Sequence, residues 1–315
     1  MKRLHSIIVL SIIVLSFSGC DTKEQETTTK LQLTTSLYPI YEAAKEVAGE
    51  RADVFKILPD GVGAHDYKPT PKDVVKLTNS DAVFYLGDEF EPWMSNLIKN
   101  HKNKISVTQN LELLKRELHE DVDPEEEHRH HHHEHDHANM IHDPHVWLDI
   151  QNYMQIVRDI TDELIKLDPQ HKDYYFLNAT LFISKLKILD DDYQKGLEGC
   201  KKDTIIVTHN AYNYLSQKYG FEVIAIGSVI DEDEPTAKKL TKIMEFAKSK
   251  NIDTIFLDML SSNNFSTMVA NELGAKKLYL HPLGNINGTR EAKEQNYLSI
   301  MRKNLEAIAI ALQCQ

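Results

Sequence analysis

The chain has 315 residues, 41% of them hydrophobic, which is enough for about two globular domains with a real core. Its formal charge of -12 at pH 7 speaks against nucleic acid and for cations, although solubility alone accounts for a charge of this size. Beyond residue 20 no stretch is long and apolar enough for a transmembrane helix.

Residues 1–19 stand apart. Lys2 and Arg3 precede an apolar run over 7–17 that ends in Ser18-Gly19-Cys20. A positive start, an apolar middle too short to span a bilayer and small residues at the end make a secretory signal rather than an anchor. Its loss removes two positive charges and takes -12 to -14. The ending resembles a lipobox, with Cys20 as the lipidated first residue and Phe17 where Leu, Val or Ile is more usual. Residues 20–30 are polar without apolar period and read as a flexible tether.

The remaining chain is read as an N-terminal lobe over 31–168, a linker helix over 169–199 and a C-terminal lobe over 200–315. Strands are expected at 31–36, 53–58, 82–86 and 104–108, with helices at 39–49, 72–79 and 92–102 between them. Such alternation predicts an α/β fold with a parallel sheet covered on both faces. From 151 to 199 apolar residues recur at helical spacing and no strand pattern appears. Pro169 breaks the run at a place that suits a helix start, so 169–199 is expected to be one rigid helix of about 30 residues, near 45 Å long. Alternation returns with strands at 204–208, 222–226, 254–257 and 276–280 and helices at 236–250, 266–273 and 292–312. Cys200 and Cys314 remain after Cys20 is set aside; a disulfide and two separate thiols are both open.

The insertion at 117–140 is Glu-rich, then histidine-rich, and too polar to fold on its own. It holds His128, His130, His131, His132, His133, His135 and His137. No packing argument needs so many imidazoles, and neutral imidazole is a common ligand of zinc, copper and nickel. Four further histidines share a context. His65, His209 and His281 each follow an expected strand, and His145 follows Asp143-Pro144. Ligands of open α/β sheets bind beyond the carboxyl ends of strands, so a cleft between the lobes is expected to close around one ion. Four imidazoles fill a tetrahedral zinc shell and leave no open position for activating water. Asp66, Asp143 and Asp258 are candidates to hold the second ring nitrogens. Taken singly, any of these histidines is more often solvated than ligating.

On these residues the mature chain resembles the metal-binding solute-binding lipoproteins of ABC importers, in the zinc/manganese group and most like its zinc members. The resemblance rests on Pro59-Asp60-Gly61-Val62-Gly63-Ala64-His65-Asp66, Gly87-Asp88-Glu89-Phe90-Glu91-Pro92-Trp93, Asp143-Pro144-His145-Val146-Trp147-Leu148-Asp149, Thr208-His209-Asn210-Ala211-Tyr212 and Leu280-His281-Pro282-Leu283-Gly284. It implies two α/β lobes joined by one long helix with the metal between them. His65, His145 and His209 match the three nitrogen-ligand positions. His281 stands at the fourth, usually Asp, which softens the site toward Zn2+ and away from Mn2+. Asp258, where members often carry Glu, or water are the alternatives. The histidine run is implied to be a weak collector that passes zinc to the cleft, or else a sensor or passive loop.

The implied function is an extracytoplasmic, lipid-anchored, monomeric receptor that delivers zinc to an ABC permease. Manganese or mixed-metal reception, adhesion and metal storage are the alternatives. A zinc hydrolase is disfavoured: no H-E-x-x-H helix is present, and His133-Glu134-His135 has the wrong spacing.

Overall fold

The computed structural model describes residues 30–63, 67–116, 140–227, 235–259 and 262–315. The first lobe runs β1 (Leu31–Thr35), α1 (Tyr38–Ala48), β2 (Ala52–Lys56), α2 (Pro71–Thr78), β3 (Ala82–Tyr85), α3 (Pro92–Leu97) and β4 (Lys104–Ser106). Every strand pair is parallel, in the order β2-β1-β3-β4. After α4 (Ile150–Leu167) and α5 (Lys172–Gly196) the second lobe runs β5 (Thr204–Val207), α6 (Asn213–Tyr219), β6 (Glu222–Ala225), α7 (Ala237–Ser249), β7 (Thr254–Asp258), α8 (Asn264–Leu273), β8 (Lys276–Leu280), α9 (Arg290–Lys293) and α10 (Tyr297–Leu312). Its sheet is also parallel, in the equivalent order β6-β5-β7-β8. The fold is thus the expected pair of parallel-sheet α/β lobes. β3, β5 and β7 are buried along their whole length, as apolar strands covered on both faces must be. In each sheet the strand order reverses at its first strand, so a crevice opens past the carboxyl ends of β1 and β3 and of β5 and β7.

The linker is helical but starts later than expected. Pro169–His171 forms one turn of 3-10 helix, and α5 follows over 25 residues. Its buried residues Tyr175, Ala179, Phe182, Leu186, Leu189 and Tyr193 recur at steps of three and four, one continuous stripe. The helix packs on α4, α1 and α10. A single buried cluster reaches from Leu33 in β1 to Ile308 in α10. The helix is therefore supported by a core that both lobes share. The expected helix at 292–312 is divided, because Asn296 caps α10: its Oδ1 accepts from Ser299 N at 2.9 Å, and Ser299 Oγ accepts from Asn296 N at 2.9 Å.

Cys200 and Cys314 form a disulfide, 114 residues apart in sequence, which resolves the alternatives the sequence left open. In the chain-entropy account, closing a loop of that length stabilises the fold by about 4–5 kcal/mol. Among the described residues no helix is long and apolar enough to cross a membrane.

Candidate metal centre

The segment Asp143 to Asp149 assigns a task to most of its residues. Asp149 caps α4 by accepting from Gln151 N at 2.7 Å. Val146–Leu148 form a buried 3-10 turn. Trp147 donates its indole N–H to Pro282 O at 2.8 Å, and its own carbonyl accepts from Tyr297 OH at 2.6 Å. His145 is thereby held at the seam of the two lobes, only 3% exposed. Asp143 Oδ1 lies 2.8 Å from His145 Nδ1 and also accepts His145 N–H at 2.9 Å. Its other oxygen accepts from Asn213 Nδ2 at 2.9 Å, and its carbonyl from Tyr214 OH at 3.0 Å. A carboxylate only accepts, so the proton of the ring sits on Nδ1 and the lone pair on Nε2.

That lone pair faces His209. The two Nε2 atoms are 3.2 Å apart, and the rings meet edge to face at 5.1 Å between centroids. Two nitrogens each about 2.0–2.1 Å from one tetrahedral zinc are about 3.3 Å apart, so this spacing suits a shared ion. His209 stands two residues past β5. Thr208, just before it, is tied to Ser266 Oγ at 2.7 Å and to Phe256 O at 3.0 Å. Gly227 approaches from the end of β6, its N–H donating to Thr208 O at 2.8 Å. A Cβ at Gly227 would come within 2.9 Å of that oxygen, so the close approach requires glycine.

His281 follows β8 as expected and is buried. Its backbone is clamped by Asn304, which accepts from His281 N at 3.0 Å and donates to His281 O at 2.9 Å. Leu283 N–H donates to His281 Nδ1 at 3.0 Å. A backbone amide only donates, so the neutral ring carries its proton on Nε2, the opposite arrangement to His145. Burial holds the imidazole pKa down, at about 4. Asp258 ends β7; its N–H donates to Asn263 Oδ1 at 2.8 Å, and its carbonyl accepts from Asn263 Nδ2 at 2.7 Å. Among the described residues no three His, Cys, Asp or Glu side chains converge closely enough to hold a metal. The structure brings His145 and His209 together, and among the described residues neither His281 nor Asp258 makes a group of three with them. His65, Asp66, Cys20 and the seven histidines of the run lie outside the described residues. The stem of the insertion is described: Lys115 bridges His142, and Asp143 N donates to Leu114 O at 2.9 Å. The insertion therefore leaves and re-enters the fold beside Asp143. His142 lies with Nδ1 3.0 Å from Glu89 Oε2.

Sequence reasoning missed the part played by Glu91. It is 4% exposed and lies past the ends of β1 and β3, where its Oε2 accepts from Ser36 Oγ at 2.9 Å and from Leu86 N. Among the described residues no donor reaches Oε1. Burial pushes its pKa up to about 7. The fold therefore favours the neutral acid. Its contribution is full below the ordinary value near 4.5 and is lost as pH rises to about 7, in total about 3 kcal/mol. Urea unfolding of Glu91→Gln should show a smaller loss of stability between pH 4.5 and 8 than the parent; parallel curves would contradict this.

Residues 33–311 match the family described as zinc-uptake complex component A, periplasmic, ZnuA. The chain is 30% identical to the high-affinity zinc uptake system protein ZnuA of Bacillus subtilis, over 99% of this chain and 98% of that protein. It is 32% identical to the zinc-binding protein AdcA of Streptococcus pyogenes, over 96% of this chain, but spans only 61% of AdcA's length. The crystal structure of the Zn(II)-bound ZnuA-like domain of Streptococcus pneumoniae AdcA superposes with a TM-score of 0.74 at 30% identity, covering 90% of this chain and 99% of that domain.

Proposed function

We infer the function from one premise: the chain belongs to the ZnuA family, component A of periplasmic zinc-uptake complexes. It captures Zn2+ outside the cytoplasmic membrane and delivers it to an ABC permease, acting as a monomer tethered through lipidated Cys20. The observation that carries this reading is the pair of Nε2 atoms 3.2 Å apart, one from each side of the lobe seam. Binding zinc there displaces the hydrogen bond between the rings. His209 then carries its proton on Nδ1 and turns its Nε2 lone pair to the ion. His65, which follows β2 in sequence, supplies a third imidazole. Three nitrogens favour zinc over manganese, which prefers oxygen.

For His281 to ligate through Nε2, the Leu283 bond to Nδ1 must break and the ring proton must move. Asp258 or a water completes the shell without that cost. His281→Ala is therefore expected to weaken zinc by less than about tenfold, since only hydrogen bonds are lost. A loss as large as that of a ligand would restore His281 to the shell. The histidine run, whose stem opens beside Asp143, is suited to collecting ions near the cleft at low affinity.

The cellular test uses a strain lacking this chain in chelator-limited medium. Zinc is expected to restore growth at lower concentration when the chain is returned, and not when it returns as the His145→Ala, His209→Ala double variant. Rescue that tracks manganese instead would favour the manganese alternative.

A further inference from the structure

Residues 281–286, which follow β8, lie against the first lobe. Tyr38 N–H donates to Gly284 O at 3.3 Å, and Gly61 N–H donates to Ile286 O at 2.7 Å. Asn285, 1% exposed, is the centre of this strap. Its Nδ2 donates to Pro59 O at 2.6 Å and to Val62 O at 2.8 Å, and its Oδ1 accepts from Lys56 Nζ. The amide orientation follows from the partners: a lysine only donates and the two carbonyls only accept. All these hydrogen bonds of the buried side chain therefore reach across to the end of β2 and the turn after it. A buried amide stabilises only the arrangement that satisfies it, because losing its partners leaves it desolvated and unpaired.

A second observation concerns the same strap. Leu283 is fully buried with φ 62, a left-handed backbone that a branched side chain adopts only where its surroundings impose it. The strap is a strained piece of the second lobe held in place by bonds to the first. Lobe separation must break those bonds.

We propose that Asn285 is a positioning residue that holds the lobes together over bound zinc and so sets how slowly the ion leaves. This rests on the reading that zinc sits between the lobes at His145 and His209. Two substitutions separate the bonds. Asn285→Asp is nearly isosteric, keeps an acceptor for Lys56 and loses both donors to Pro59 and Val62. Lys56→Met removes the lysine and leaves those donors.

The test is zinc dissociation from the full mature chain into excess chelator, followed by stopped flow, with His145→Ala as control. The slow phase should become about tenfold faster in Asn285→Asp, and faster by less in Lys56→Met, which costs the side chain one of its three bonds. If His145→Ala keeps the slow phase, the site reading itself fails. If His145→Ala abolishes it but folded Asn285→Asp releases zinc at the parent rate, the site stands and the positioning role is overturned. Should Asn285→Asp not fold, amide exchange at Gly61 in the parent decides. Exchange at least about tenfold slower with zinc bound supports the proposal, and equal rates overturn it.

Discussion

Replacing His145 by alanine is expected to weaken zinc binding by about 100- to 1000-fold while leaving the fold intact. Zinc held by a full protein shell is worth about 10–16 kcal/mol, or roughly 3 kcal/mol for each of four ligands. His145 is the proposed ligand that the fold prepares most fully, because its tautomer is set in advance by Asp143 and its place by the Trp147 anchor. The change also removes a ring packed edge to face on Trp147 at 5.4 Å, so some loss of thermal stability will accompany it. Competition titration with a chromophoric chelator measures the affinity, and thermal unfolding of the metal-free protein measures the stability. An affinity within about fivefold of the parent would remove His145 from the shell.

Asp143→Asn is expected to cost about 10- to 100-fold in zinc affinity, although the residue never touches the ion. The carboxylate fixes the Nδ1 proton of His145, and its negative charge makes the imidazole a stronger donor to the metal. Asparagine keeps the size and the means to bond Asn213, but it offers the ring a neutral oxygen at best, or an NH2 that competes for the wrong tautomer. The signature is a drop in affinity with little change in the unfolding midpoint of the metal-free protein. Equal losses in both would mean that Asp143 acts only by holding the loop.

The fold was legible because parallel strands buried on both faces are written as short apolar runs, and β8 was read to its exact residues from 276 to 280. The places where reading failed depended on side chains rather than on period. The break between α9 and α10 comes from the reciprocal cap of Asn296 and Ser299, set inside an otherwise helical pattern. The site divides in the same way. His145 and His209 could be paired from sequence because each ends a recognisable segment past a strand or a proline. The tautomer of His281 could not, since it depends on Leu283 N–H turning back in a left-handed conformation that leucine does not announce. Asn285 carried no motif at all. Its role exists only because β8 ends opposite the turn after β2, an adjacency of residues 226 and 223 positions apart in the chain.

The central claim is that one zinc ion is held between the lobes by the imidazoles that His145 and His209 bring together. It is tested most directly by zinc calorimetry on metal-stripped residues 21–315 with residues 128–137 deleted, beside the same protein carrying His145→Ala and His209→Ala. The account predicts one tight equivalent in the first protein and none in the second. Tight binding that survives the double substitution, or that vanishes with the histidine run alone, would contradict it.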